Sequence, residues 1–285
     1  MAKRKERTKT DRDTDDDSSS DSGGEILDVD FEFFDPQAID FHGLKTLLRQ
    51  LFDVDSQLLD FSALADLILS QPLLGSTVKT DGMESDPYAF LTVLNLVEHK
   101  DNPAVKALLE YVIQQASKNP SLNVVAQTLQ GQSTVGLLLT ERLINIPVEV
   151  IPPMYRMLLE EITWANEEKE PYTFSHYLII SKTYREIESQ LDQEDDRPQK
   201  KKKKGMVKPE VFNFHPEDTT IQKSALAFGD FPYINEGADS EADSKRAFQD
   251  LGIKPQGHMI LLEASKYESM VKSLEEALQP ITGVS

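Results

Sequence analysis

Apolar and polar residues alternate along this chain with two different periods, and the changes of period mark its elements. Val29, Phe31 and Phe33 alternate with Asp28, Asp30 and Glu32, the pattern of a half-buried strand. Leu44, Leu47, Leu48 and Leu51 then recur at helical spacing behind Asp40, which can cap that helix. Asp60 or Ser62 can start a second short helix that ends before Pro72. Residues 76–80 and 88–97 read as a strand pair joined through an Asp81-Gly82 turn, and the unbroken apolar run YAFLTVLNLV belongs in the centre of a sheet. Asn102-Pro103 opens a helix whose buried stripe is Val105, Leu108, Leu109, Val112, Ile113 and Ala116, and Asn119-Pro120 stops it. Gly136 to Asn145 reads as a strand, and Pro152-Pro153 opens a helix through about Trp164. FSHYLIISKTY, VFNFH, SALAFGDF and HMILLEA read as strands, and Tyr267 to Leu278 as a closing amphipathic helix.

Strands and helices alternate without a regular βαβ beat. The expected fold class is therefore α/β of the α+β kind: a single mixed β-sheet flanked by helices. Three stretches break the pattern. Residues 1–24 join a basic cluster (Lys3, Arg4, Lys5, Arg7) to an Asp/Ser run and have too little apolar area to offset ordering entropy, so they are expected to be a disordered tail. Residues 190–205 carry an acidic patch, Pro198 and Lys200 to Lys204, and are expected to loop out as a disordered Lys-rich insert. Asn235 to Lys245 is a softer acidic stretch. The expected organisation is one globular domain made of residues 25–189 and 206–280.

Charge changes the picture from fold to partner. The 285 residues carry 30 Lys and Arg against 49 Asp and Glu, a net charge of −19. That field repels a phosphate backbone and attracts basic proteins, so direct nucleic-acid binding is not expected. The absence of cysteine excludes disulfides, thiolate catalysis and Cys-ligated metals. The first residues lack an apolar core and no apolar run reaches the ~20 residues of a membrane span, so an intracellular soluble protein with no membrane insertion is expected.

Candidate chemistry is sparse. His42, His99, His176, His215 and His258 are scattered, and none makes the i, i+4 pair of a zinc helix. Asp28-x-Asp30-x-Glu32 lacks the glycine of a calcium loop. Gln130 to Gly136 could cradle a phosphate, but a turn needing positive φ is the simpler reading. No catalytic residue, cofactor or metal is therefore expected. The candidate sites are Lys200, Lys201, Lys202, Lys203 and Lys204 as a transport-receptor epitope, and Asp13, Asp15, Asp16, Asp17 and Asp21 as a partner-binding acidic segment. Ser18, Ser19, Ser20 and Ser22 lie among acids and suit acid-directed kinases.

The segment VGLLLTERLINIPVEVIPPMYRMLLEEI (135–162) resembles the signature region of the BCCIP family of eukaryotic nuclear proteins. Glu141 to Pro147 and Pro152 to Tyr155 carry much of the likeness, and DVDFEFFDP, YLIISKTY and FNFHPED agree in order over roughly residues 25–280. The resemblance implies a fold similar to that of GNAT acetyltransferases in a non-enzymatic nuclear protein. It implies a chaperone for a basic large-subunit ribosomal protein that supports nuclear export and ribosome biogenesis. Implied partners are that ribosomal protein, nuclear transport receptors and a lipid kinase cargo; the expected location is the nucleus with shuttling to the cytoplasm, and the expected state is a monomer. The alternatives are a divergent GNAT acetyltransferase and a cell-cycle or DNA-repair scaffold. A GNAT pyrophosphate loop would need Gln/Arg-x-x-Gly-x-Gly/Ala, and around Gln130 to Gly136 Ser133 stands where the first glycine should be.

Overall fold

A computed structural model of the chain describes residues 30–71, 74–186, 210–235 and 253–278. Those from Phe31 onward belong to one compact unit. In chain order the strands are β1 (Glu32–Phe34), β2 (Ser76–Lys79), β3 (Ala89–Asn95), β4 (Val135–Arg142), β5 (His176–Glu186), β6 (Val211–Asn213), β7 (Ala227–Phe231) and β8 (Ile253–Glu263). The helices are α1 (Phe41–Phe52), α2 (Phe61–Ser70), α3 (Pro103–Ala116), α4 (Asn123–Gln130), α5 (Ile151–Glu167), α6 (Asp218–Gln222) and α7 (Tyr267–Ala277). Among the described residues all strands join one sheet in the order β1-β2-β3-β4-β5-β8-β7, with β6 added to β5. Every pairing is antiparallel except β4 with β5, which α5 connects. A parallel step needs such a crossover.

The sheet is buried on both faces, and the central strands therefore read as continuous apolar runs. All seven residues of β3 are buried between β2 and β4. Successive side chains go to opposite layers. Phe90, Leu94, Leu137, Leu139, Leu178, Ile180, Met259 and Leu261 pack under α1 to α4. Leu91, Val93, Leu138, Ile179, Ile260 and Leu262 pack against α5 and α7. The helix caps are local. Asp60 accepts from the amides of Ser62 and Ala63, and Asn102 from those of Ala104 and Val105, with Pro103 in the first turn. Gly82 takes φ +80° in the turn between β2 and β3.

Several expectations need correcting. Asp40 stands at the α1 boundary but makes no bond to the helix amides. Its Oδ1 lies 2.6 Å from Lys79 Nζ, and both side chains are fully buried; its Oδ2 accepts from the amide of Gln37. A buried ammonium without a counter-charge costs several kcal/mol, whereas a cap bond contributes about 1 kcal/mol, so Lys79 takes the carboxylate. The α3 stripe runs through Tyr111 and Gln115 rather than Leu109 and Ile113, which are half-buried. Both polar tips are satisfied: Tyr111 donates to Asp55, and Gln115 to the carbonyl of Pro232. Asn119-Pro120 ends α3 but also restarts the chain, because Asn119 accepts from the amide of Ser121 and a short turn leads into the unanticipated α4. The glycines of Gln130 to Gly136 need no positive φ. Gly131 has φ −85°, and Gly136 lies within β4, where a Cβ would meet Val93 and the Phe174 ring.

The Asp40–Lys79 pair gives a direct test. Lys79→Met should cost about 3–5 kcal/mol in denaturant unfolding, because Asp40 is then buried alone. Lys79→Met combined with Asp40→Asn should recover most of that loss, since the carboxamide still accepts from Gln37. A double variant as unstable as the single one would contradict this account.

Candidate functional site

The parallel strands β4 and β5 pair only at their beginnings, from Val135↔His176 to Leu138↔Ile179. Beyond that point β4 stays with β3 as far as Arg142, and β5 stays with β8 as far as Glu186. Parallel strands that separate at their carboxyl ends leave a crevice, the usual place for a ligand in open α/β sheets. In this chain β6 and the turn after it fill the crevice. β6 pairs with Thr183 to Arg185 of β5, and the amide of Phe214 continues the ladder by donating to the carbonyl of Lys182 at 3.0 Å.

The filling is charged. Glu141 and Arg142 end β4, Lys182 comes from β5, and His215 and Glu217 come from the turn after β6; all five are buried. Lys182 Nζ lies 2.5 Å from Glu141 Oε2, and His215 Nε2 lies 3.2 Å from Glu141 Oε1. The Arg142 guanidinium forks onto both carboxylate oxygens of Glu217. His215 Nδ1 is 3.4 Å from Arg142 Nη1. Lys182 also donates to the carbonyl of Gln50, and its ammonium sits 4.4 Å from the centre of the Phe214 ring. Burial alone would raise the Glu141 carboxyl, but the His215 bond and the Lys182 charge bring it below the usual carboxylate range. Beside this network Ser181 donates to Asp218, whose carboxyl is pushed up to about 6 by burial, with help from the Glu217 charge.

A second cluster lies on β7 and β8. His258 Nδ1 is 2.7 Å from Asp230 Oδ1, which also accepts from Thr183 Oγ1. Burial would raise Asp230, and the His258 bond holds it below its usual value. A histidine oriented by a carboxylate is half of a nucleophilic triad. The other half is missing from the geometry: His258 Nε2 is taken up by Gln222, and the hydroxyl of Ser181, directly across from His258, goes to Asp218.

Among the described residues no group of three or more His, Asp or Glu could hold a metal ion. Two open depressions, of about 410 and 260 Å³, lie elsewhere. Gln132, Ser133 and Thr134 line the smaller, at the amino end of β4. The stretch Gln130 to Gly136 is therefore at the wrong end of the parallel pair for a ligand crevice. The place for a phosphate loop is 143–150, between β4 and α5, and LINIPVEV contains no glycine. Lys200 to Lys204 and Asp13, Asp15, Asp16, Asp17 and Asp21 lie outside the described residues.

Comparison with known proteins gives this arrangement a family. The BCCIP family model matches residues 26–221, well over half of the chain. The chain belongs to the BCCIP family. Protein bcp1 of Aspergillus fumigatus is 61% identical over 264 residues, covering 92% of this chain and 91% of that protein. Protein bcp1 of Schizosaccharomyces pombe is 51% identical, covering 88% and 90%. The crystal structure of BCP1 from Saccharomyces cerevisiae matches with a TM-score of 0.59 and 30% identity over 93% of this chain and 94% of that one. The BCCIP match contains Glu141, Arg142, Lys182, His215, Glu217 and Asp218, and ends before Asp230 and His258.

Asp218 offers a test of how this BCCIP-family interior is wired. Its carboxyl is raised from 3.8 to about 6, so the fold holds the proton where the unfolded chain has lost it. Ionisation therefore costs stability, and this contribution falls as pH rises through that window. Asp218→Asn keeps an acceptor for Ser181 and removes the titration. Relative to the variant, the wild type should lose about 2–3 kcal/mol between pH ~4 and ~7. Parallel stability-pH curves for the two proteins would contradict it.

Proposed function

We propose that this BCCIP-family chain is a non-enzymatic nuclear protein that binds and chaperones a basic large-subunit ribosomal protein and supports nuclear export and ribosome biogenesis. The observation that carries the non-enzymatic part is the filled crevice between β4 and β5: the chain's own His215 and Glu217 occupy the place a cofactor would need. The net charge of −19 favours a basic partner. The ribosomal identity of that partner follows the family resemblance of the signature segment. In this reading Lys200 to Lys204 engage a nuclear transport receptor, the acidic segment with Asp13, Asp15, Asp16, Asp17 and Asp21 speeds encounter with the cargo, and a lipid kinase is a further export cargo.

The second reading, a divergent GNAT-type acetyltransferase, has one observation in its favour: the single parallel β4–β5 step in an otherwise antiparallel sheet. Against it stand the glycine-free loop 143–150 and the buried ion pairs of the crevice, which acetyl-CoA would have to break. Calorimetry separates the two readings. The purified chain should show no heat of binding with acetyl-CoA; micromolar affinity would overturn the non-enzymatic reading.

The acidic tail and the folded part should contribute separately to cargo binding. Deleting residues 1–24 should slow association with a large-subunit ribosomal protein and flatten its dependence on salt, while specific binding remains. Complete loss of binding in the truncated chain would contradict this division. Replacing Lys200 to Lys204 by alanine should move a fluorescent fusion toward the cytoplasm, and an unchanged nuclear signal would remove the lysine run from the import mechanism.

A further inference from the structure

Trp164 is the chain's single tryptophan, and it stands 60% exposed on α5. An indole is the largest apolar side chain, so leaving it in water forgoes the most burial energy. α5 buries its other face, with Met154, Tyr155, Leu158, Glu161 and Ile162 in the core. On the outward face Glu160 lies one turn before Trp164, and Glu167 and Glu168 lie one turn after it; all three are exposed. Spacings of three and four residues place these carboxylates beside the indole. None of them pairs with a cation among the described residues.

The helix itself gives no reason for this placement. Its carboxyl end carries the negative pole of the helix dipole, where a cation stabilises and an anion does not. The last turn of α5 nevertheless has no basic residue and ends on Glu167 followed by Glu168. Residues chosen against local helix physics, around an exposed aromatic, mark a surface shaped for something outside the chain.

We propose that the Trp164 face of α5 receives an arginine-bearing basic segment of the partner protein. The indole stacks on a guanidinium while Glu160, Glu167 and Glu168 supply the counter-charges. Arginine fits better than lysine because its planar, weakly hydrated guanidinium stacks on an aromatic face and leaves its edge donors free for carboxylates. An apolar partner would bury three carboxylates without counter-charge, and nucleic acid or an anionic membrane would meet repulsion. The helix that carries the indole is fixed, since Tyr155 and Leu158 pack α5 into the core on the sheet. This inference rests on the reading of the chain as a receptor for a basic protein and names the surface it would use.

The single tryptophan makes the test site-specific. A fluorophore-labelled nonaarginine peptide is titrated into the full chain, with peptide anisotropy and Trp164 emission followed together. Both should saturate on the same curve. Trp164→Ala should weaken binding by about tenfold, the scale of one desolvated cation–π contact. Trp164→Phe should fall between the two, and Glu160→Gln with Glu167→Gln and Glu168→Gln should weaken binding while keeping the indole. A nonalysine peptide should bind less tightly. Because Trp164 is exposed, these variants leave the core intact, which circular dichroism checks. Peptide binding with unchanged emission and unchanged affinity in Trp164→Ala would overturn the assigned surface while leaving an acidic receptor in place. No binding of either peptide by the wild type would overturn the receptor reading and the surface with it.

Discussion

The divergence of β4 and β5 is the constraint on which the rest of this molecule depends. Two parallel strands that pair over four residues and then separate expose backbone and leave a gap in the sheet. Such a gap must hold water, a ligand or more protein, because an unpaired buried backbone group costs free energy. Here β6 supplies backbone for the end of β5, and of the side chains that follow Glu217 supplies a counter-charge for Arg142 and His215 a ring nitrogen beside Glu141. Burying ions is costly, and the network is tolerable because the charges meet their opposites, Glu141 facing Lys182 and Glu217 facing Arg142, while the His215 ring lies 3.2 Å from the other oxygen of Glu141. The return is placement. A forked guanidinium–carboxylate contact is directional, so it favours the register in which Glu217 meets Arg142.

Much of this architecture was legible in the alternation of apolar and polar residues. β3 was readable as a central strand because seven buried residues in a row suit a strand covered on both faces. α3 was readable from Asn102-Pro103, a cap and first turn whose chemistry is local. What failed was non-local. Asp40 looks like a helix cap until Lys79, distant in sequence, needs a counter-charge. Asn119-Pro120 ends one helix and starts another, and the dipeptide alone does not distinguish the two jobs. Glu141, Arg142 and Lys182 are charged residues inside segments that read as strands, and nothing local to them says that they are interior. The segment arriving after β6, together with Gln50 of α1, makes them interior groups. The signature stretch that marks the family contains Glu141 and Arg142, yet nothing in its spacing says that His215 and Glu217 will meet them.

Inside and outside then divide the charge. Within the described core, acids are paired or hydrogen-bonded, as with Asp55, which accepts from Tyr111 and from the amides of Ile234 and Asn235. On the outside acids stand in solvent, and α5 displays both kinds at once: Glu161 accepts from the amide of Gly75, while Glu160, Glu167 and Glu168 are exposed around Trp164. In the proposed reading, a chain whose crevice is filled by its own turn works through its surface. That is consistent with a BCCIP-family protein that works by contact rather than by chemistry.

The closure of the crevice is the central claim, and the amide of Phe214 reports on it directly. It is the donor that ties the filling segment to the Lys182 carbonyl. In native-state hydrogen exchange this amide should be protected nearly as well as those of β5, exchanging only when the fold opens as a whole. Exchange at the rate of a free peptide, with β5 still protected, would mean that the segment leaves the crevice easily and would contradict the account.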